Sequence, residues 1–419
     1  MNYNVDKKRD TFLTLLMFTM MGVALITFFG TYGTGDTLLF TIWIQHALDE
    51  GIVGGFAADH EMYPPLIPLM LTVIHKAINH FIIGGGENAI RVLTTVFSLG
   101  SCILAKLMLK DNRICILLFL STFLSVTDRY LDIVMVPFII ASYFFAKNRK
   151  YVAVGASLAL MCLMKYQPLI MMPVVLTALI NIDVKAEKGK RFTICWKPLL
   201  KMALGGIVPV IVVALVYREA FFRSIYLALF GYSELVAPQG LNVGWIVQFI
   251  YEKLTGTYYE KIEVLRSIPN IGLVIYKYLF VIGYLAVFVR LIFLRDKKIS
   301  DILKGCIIVF ILYYLFNVNV HENHLFVGMI LALLLYAETK ELPDFIVFAI
   351  IAFIHNINLG VFNGIFGSAY PIFNRIIFGV FDPTLIVAIV NVIIGTAVTV
   401  ELYLSFNRNN NKMPGGIMQ

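Results

Sequence analysis

Long apolar runs separated by short polar stretches organise this chain from end to end. They fall at about residues 11–32, 91–109, 114–127, 132–146, 151–164, 169–182, 200–217, 270–291, 302–318, 325–338, 343–357 and 382–404. A helix crosses a bilayer with roughly 17–25 apolar residues, so these runs predict twelve spans, several of them short. Two further runs are patterned differently. Residues 37–48 form an amphipathic stretch with Trp43 and His46, and residues 64–83 carry His75, Lys76, Asn79 and His80 within two turns. Both predict helices lying on the outer surface, the second with Pro64 and Pro65 in its first turn, where a missing N–H costs little. The expected fold class is an all-α integral membrane protein, a bundle of about 12 transmembrane helices. It forms one polytopic domain over 1–419, with a large first outer loop (about 33–90) containing surface-lying helices and a second long outer loop (about 218–269).

Composition agrees with the pattern. The 419 residues are 59% hydrophobic and 14% charged, with a mean hydropathy of +0.83, far from a soluble domain. The net charge of +8 is informative through its placement. Basic clusters sit at 7–9, 110–113, 147–150, 185–201, 295–298, 340 and 408–412. A single topology puts them all in the cytoplasm, with both termini inside. No basic tract with interleaved aromatics occurs in a soluble segment, which argues against a nucleic-acid partner. The five cysteines form no C-x-x-C pair, so neither a disulfide framework nor a zinc site is expected. The first apolar run is too long for a signal-peptide core and reads as a retained span.

With this topology the polar residues of chemical interest gather on the outer side. All seven histidines (46, 60, 75, 80, 321, 324 and 355) fall there or at an outer helix end. So do Asp36, Glu61, Asp128, Asp132, Lys165, Asn242 and the His321–Glu322 pair. Ionisable groups at the ends of apolar helices are expensive when unpaired and mark functional sites. Each has a plainer reading as well. Asp36 can cap the helix that follows it, "YPPL" can be a turn, and Asp128 and Asp132 can be a solvated boundary paired with Arg129. Lys165 can snorkel to the headgroups. The histidines of "HENH" are three apart rather than four, against a zinc motif; no metal is expected.

In order along the chain, these segments resemble the GT-C superfamily of polytopic glycosyltransferases that use polyprenyl-phosphate sugars. "GD" at Gly35–Asp36 is similar to the start of their first outer loop, and "YPPLIPLM" (63–70) to their D-Y-P-P-L segment. "DRYLD" (128–132) takes the place of a second-loop acidic residue, and "KYQPLIMMP" (165–173) resembles the K-x-Q-x-L-x-x-x-P run of bacterial members. "LNVGW" (241–245) resembles a later Asn-and-Trp motif, and "VHENHLF" (320–326) their V-H-E-(K/R) segment. Three positions depart from the pattern. Met62 replaces the acid before Y-P-P, with Glu61 one residue earlier; Asn323 replaces the basic residue after H-E; Leu39 replaces an acid three residues after G-D.

The resemblance implies transfer of a hexose, mannose or glucose, from a polyprenyl-phosphate donor to an extracytoplasmic glycan or glycolipid acceptor, with inversion at C1. The lipid-linked sugar is a substrate, and no cofactor is implied. Such chemistry needs a base for the acceptor hydroxyl and donors for the departing phosphate. The resemblance makes Asp36 the base and assigns the phosphate to His321 and Lys165. It gives substrate contacts to Asp128, Asp132, Glu61, Tyr63, Gln167, Asn242, Trp245 and Glu322. Expected partners are membrane lipids and the two substrates, in a bacterial plasma membrane. The competing readings are a transporter or flippase of lipid-linked sugars, which would carry its ionisable groups at mid-membrane, and a surface-polysaccharide polymerase or ligase.

Overall fold

The computed structural model describes residues 2–31, 33–58, 63–79, 85–182, 192–230, 236–256, 275–364 and 383–406. After α1 (Asn2–Thr27), the short helices α2 (Asp36–Asp49), α3 (Gly51–Ala58) and α4 (Leu66–Ile78) pack on one another, and α2 and α4 pack on α5 (Gly86–Leu109). Next come α6 (Asn112–Thr127), a 3-10 turn (Leu131–Met135), α7 (Val136–Lys147) and α8 (Tyr151–Met164). The apolar run after α8 is broken into a 3-10 turn (Gln167–Met171), α9 (Met172–Leu176) and another turn (Thr177–Leu179). Pro168 and Pro173 lie at the starts of its first two pieces and cannot donate to a preceding turn.

The chain then forms a small ribbon, β1 (Ile180–Ile182) antiparallel to β2 (Phe192–Ile194), with Ile180 opposite Ile194. The ribbon is an addition to the expected all-α architecture. The remaining helices are α10 (Trp196–Phe230), α11 (Val243–Thr255), α12 (Lys277–Phe293), α13 (Ile299–Phe316), α14 (Phe326–Thr339), α15 (Leu342–Asn363) and α16 (Pro383–Leu404).

Among the described residues, six helices are long and apolar enough to cross a membrane: Asp10–Thr27, Gly86–Leu109, Trp196–Phe230, Ile299–Phe316, Leu342–Asn363 and Pro383–Leu404. The protein is membrane-embedded. The other apolar runs hold shorter helices, of which α12, at 17 residues, is the longest. In hydrocarbon every backbone N–H needs an internal partner, which is why helix fills almost every apolar run.

α13 forms the centre of the bundle, with 83% of its apolar window buried, whereas α10 buries only 11% and faces outward. α10 is not a straight rod. It kinks at Arg218 (φ 48°, ψ −126°), one residue past the span end expected at 217. α8 and α10 meet backbone to backbone through glycines. A Cβ on Gly155 would lie 1.9 Å from the Met202 carbonyl oxygen, and one on Gly205 would lie 1.9 Å from that of Val152. Small residues allow such close approach between membrane helices.

The two ends of the bundle differ in character. At one end Lys340 pairs with Asp111 at 2.6 Å and Lys147 with Glu338 at 2.7 Å. Lys106 adds an ion pair to Asp10 at 3.6 Å. Lys110, Arg149 and Lys340 there take left-handed conformations (φ 56° each), ending α5, α7 and α14. α6 and α8 run away from this end, and the loop before α14 lies at the other.

Candidate functional site

That other end is built from four connections: 28–31 and 33–35 before α2, 128–135 after α6, 165–167 after α8, and 317–325 between α13 and α14. The first two are clamped together by Arg129. This residue turns the chain in the left-handed region (φ 66°) and is 2% exposed. Its guanidinium donates to the Phe28 carbonyl at 2.9 Å, the Phe29 carbonyl at 2.6 Å and Thr31 Oγ1 at 2.8 Å. It thereby satisfies carbonyls left over at the end of α1. Burial pushes its ionisation down to about 10, still above neutral pH. Thr34 N–H donates to the Asp128 carbonyl at 3.1 Å. Gly33 (φ 81°) packs so tightly that an added Cβ would meet Thr37 Oγ1 at 2.4 Å and Arg129 Cγ at 2.7 Å. The "GTG" before Asp36 is thus a shaped turn held by Arg129.

Asp36 is the first residue of α2. The cap is Gly35, so the capping reading of Asp36 does not hold. Its position in the first turn still suits the helix dipole. The carboxyl is accessible, yet most of its surroundings are protein. That desolvation pushes its ionisation above the ordinary aspartate value, and Glu322 pushes in the same direction; His321 and Lys165 oppose both. Asp36 therefore lies within electrostatic reach of all three.

Asp132 is the hub. It is 1% exposed and both of its oxygens are engaged: Oδ1 accepts from Lys165 Nζ at 2.7 Å, and Oδ2 from Asn323 Nδ2 at 2.8 Å. The reading of this pair as a solvated boundary is overturned, since both are buried and Asp132 is paired with Lys165; Arg129 bonds carbonyls and feels the charge of Asp128 alone of the two. With both oxygens taken, Asp132 orients Lys165. Lys165 Nζ also lies over the Tyr63 ring, 5.8 Å from its centroid, and Tyr63 in turn packs against Phe40 and Trp43. The surface helices are thereby joined to the site. The double proline falls just before α4, with Pro65 as its cap and Pro68 in its first turn.

The loop 317–325 turns through Asn319 (φ 56°), a residue type that tolerates this conformation. His324 Nδ1 accepts from the His321 backbone N–H at 3.1 Å, and the His324 carbonyl accepts from Gln167 Nε2 at 2.6 Å. Burial drives the His321 imidazole down to about 4, with Asp36 opposing the shift. Burial lowers His324 as well. Both shifts favour the uncharged ring over the imidazolium. Glu322 is 4% exposed, and burial pushes its carboxyl up against the bond donated by Tyr130.

Asp36, Tyr63, Asp132, Lys165, Gln167, His321 and Glu322 therefore belong to one constellation. Asn242 and Trp245 stand apart. The Asn242 side chain caps α11 through Trp245 N–H at 3.1 Å and donates to the Tyr314 carbonyl at 2.8 Å. Trp245 Nε1 donates to Thr384 Oγ1 at 2.9 Å. These bonds tie α11 to α13 and α16. Glu61 lies outside the described residues, as do His60 and His80. His355, expected at a helix end, sits inside α15, wholly buried, with Nε2 3.2 Å from Ser125 Oγ.

Two residues of the site carried no role in the sequence reading. Tyr130 lies within the quoted "DRYLD", where its neighbours drew the attention, and Asn363 had no signal at all. Among the described residues no group of three or more His, Cys, Asp or Glu side chains is arranged to hold a metal ion.

Beside the constellation, an open cleft of about 240 Å³ separates α3 from the part of α10 beyond its kink. Phe56, Ala57, Glu219, Arg223 and Ser224 are among its lining residues. It adjoins the site through Tyr166, whose hydroxyl lies 2.6 Å from Ser224 Oγ. No protein-family model and no curated protein matches the sequence.

Proposed function

We propose that this protein is an integral-membrane glycosyltransferase of the GT-C type. It moves a hexose from a polyprenyl-phosphate donor to an extracytoplasmic glycan or glycolipid acceptor, with inversion at C1. The observation that carries the reading is the gathering of Asp36, Lys165 and His321 at the end of the bundle opposite the basic ion pairs. In this reading all twelve apolar runs cross the membrane, the basic end and both termini face the cytoplasm of a bacterial cell, and the site faces outward.

The chemistry is a single displacement. Asp36 takes the proton of the acceptor hydroxyl as its oxygen bonds to C1, and the C1–O bond to the phosphate breaks with its electron pair leaving on oxygen. Lys165, held by Asp132, supplies positive charge to that oxygen, and neutral His321 supplies an N–H. The elevated ionisation of Asp36 suits a base, since a conjugate acid closer to neutrality accepts a proton more readily. The cleft beside Tyr166 gives a lipid-borne sugar a lateral way in. A transporter would carry these groups at mid-membrane; their collection at one end favours the enzyme.

The test is incubation of purified protein with a panel of polyprenyl-phosphate hexoses, scored by sugar release and by mass spectrometry of the acceptor product. Asp36→Asn should insert and purify normally while transfer falls about 10²–10⁴-fold, the range for loss of a general base. Near-wild-type turnover in that variant would remove Asp36 from its role.

A further inference from the structure

A chain of polar contacts runs behind His321, and none of its bonds is used by the displacement described above. Asn363, the last residue of α15, donates from Nδ2 to the Tyr130 hydroxyl oxygen at 2.7 Å. The Tyr130 hydroxyl donates to Glu322 Oε1. Glu322 Oε2 is buried and has no hydrogen-bond partner; His321 Nδ1 is 3.9 Å away from it.

With Asn363 placed so that its NH₂ faces Tyr130, the direction of this chain follows from its first member. An amide NH₂ can only donate, so the Tyr130 oxygen receives from Asn363 and its own proton must point at Glu322. Glu322 Oε1 is then an acceptor, and any proton held by the carboxyl sits on Oε2, on the side of His321. Holding that proton is favoured. Asp36 and Asp132 already bring negative charge to the site, the Lys165 ammonium is committed to Asp132 at 2.7 Å, and a buried carboxylate with one bare oxygen is costly.

We propose that Asn363, Tyr130 and Glu322 are positioning residues for His321: together they form a one-way hydrogen-bond chain that ends on Nδ1 and keeps the ring proton on Nε2. The gap of 3.9 Å exceeds a hydrogen bond by about 1 Å, so the proposed last link requires the Glu322 carboxyl and the His321 ring to move together by that distance. Nε2 lies on the far side of the ring from Glu322, so the chain converts a ring with two tautomers into a dedicated N–H donor. An ionised Glu322 would do the opposite, drawing the proton to Nδ1 and leaving Nε2 as a base. Among the described residues, the charged and titratable groups acting on His321 include Asp36 from α2, Lys165 from the end of α8, and Glu322 and His324 from its own loop. Desolvation, which keeps the ring neutral, supports the same arrangement.

The proposal rests on the transferase reading for its purpose, but its test does not. Full-length protein labelled with ¹⁵N-histidine in detergent micelles reports the tautomer from the ring nitrogen shifts, with His321→Gln used to assign the signal. His321 should appear as neutral Nε2–H between about pH 5 and pH 8. Tyr130→Phe should mix the two tautomers, whereas Glu322→Gln, whose amide donates in place of the carboxyl, should keep the Nε2–H form. An Nδ1–H signal in the wild type, an unchanged spectrum in Tyr130→Phe, or a switch to Nδ1–H in Glu322→Gln would each overturn the proposal. If Tyr130→Phe fails to fold, Glu322→Gln decides alone. In the transfer assay Tyr130→Phe should lower kcat about 10-fold, as loss of supporting contacts typically does. Wild-type protein that shows the Nε2–H tautomer but consumes no polyprenyl-phosphate hexose would sink the transferase reading and leave the chain standing. Transfer without the tautomer bias would do the reverse.

Discussion

Asp132 and Lys165 meet where the side chains are 1% and 13% exposed, so their pairing is a property of the interior. Breaking such a pair leaves one charge uncompensated, at a typical cost of about 3–5 kcal/mol. Lys165→Met should lose that much in denaturant unfolding in micelles. Lys165→Met combined with Asp132→Asn should recover part of the loss, because no bare charge then remains. Strictly additive losses would show that the two residues are not coupled. The pH dependence of transfer follows from the neighbours. With Asp36 as the proposed base, desolvation raises its ionisation, so the carboxylate is lost on acidification at a pH above the ordinary aspartate value of 3.8. His321 is depressed to about 4, so the rate profile should carry no histidine limb near the ordinary value of 6.5. The sign for stability is equally defined. Between about 6.5 and 4 the unfolded chain protonates His321 while the folded one does not, so its contribution falls as pH drops through that window. The ionisable residues of the site were readable because such groups are conspicuous in an apolar chain, although Asn242 and Trp245, read with them, stand apart. Their partners were not. The adjacency of Arg129 to Asp128 and Asp132 pointed to an ion pair, but a left-handed turn sends its guanidinium to the carbonyls at the end of α1.

At the scale of elements, the contact between α8 and α10 is the tightest among the described glycines. Gly155→Leu or Gly205→Leu must push the helices apart, since the obstructing atoms are backbone carbonyls. Overpacking of this kind costs about 1–3 kcal/mol or more, which thermal unfolding in detergent would register as a lowered Tm. Gly100, whose Cβ would meet nothing within 4 Å, is the control and should tolerate alanine. Helix positions were legible because apolar runs in a bilayer have little alternative to helix, and the two amphipathic runs appear as α2 and α4. What the pattern could not give was the breakage of 167–179 into three pieces, the ribbon that follows it, or the continuation of α10 past residue 217. Each depends on how a polar or proline-bearing junction packs against neighbours far away in sequence. The extension of α10 beyond its kink is also what creates the cleft against α3.

For the whole molecule, the separation of the two ends makes a topological prediction. In a cysteine-free background, single cysteines at Arg149 and Lys340 should react with a membrane-impermeant thiol reagent only from the cytoplasmic side. Cysteines at Gly35 and Asn319 should react only from the outside. Labelling of both sets from one side would exclude the twelve-span arrangement. The constellation itself has a temporal implication. Its bonds join Asp132 to Asn323, Tyr130 to Glu322, and Tyr130 to Asn363, across 191, 192 and 233 positions of chain. During synthesis the early helices must enter the bilayer and persist with the Asp132–Lys165 pair formed but its remaining partners still untranslated. The constellation is therefore completed only when α15 emerges, and a ribosome stalled earlier leaves an inserted chain in which Tyr130 still lacks Asn363.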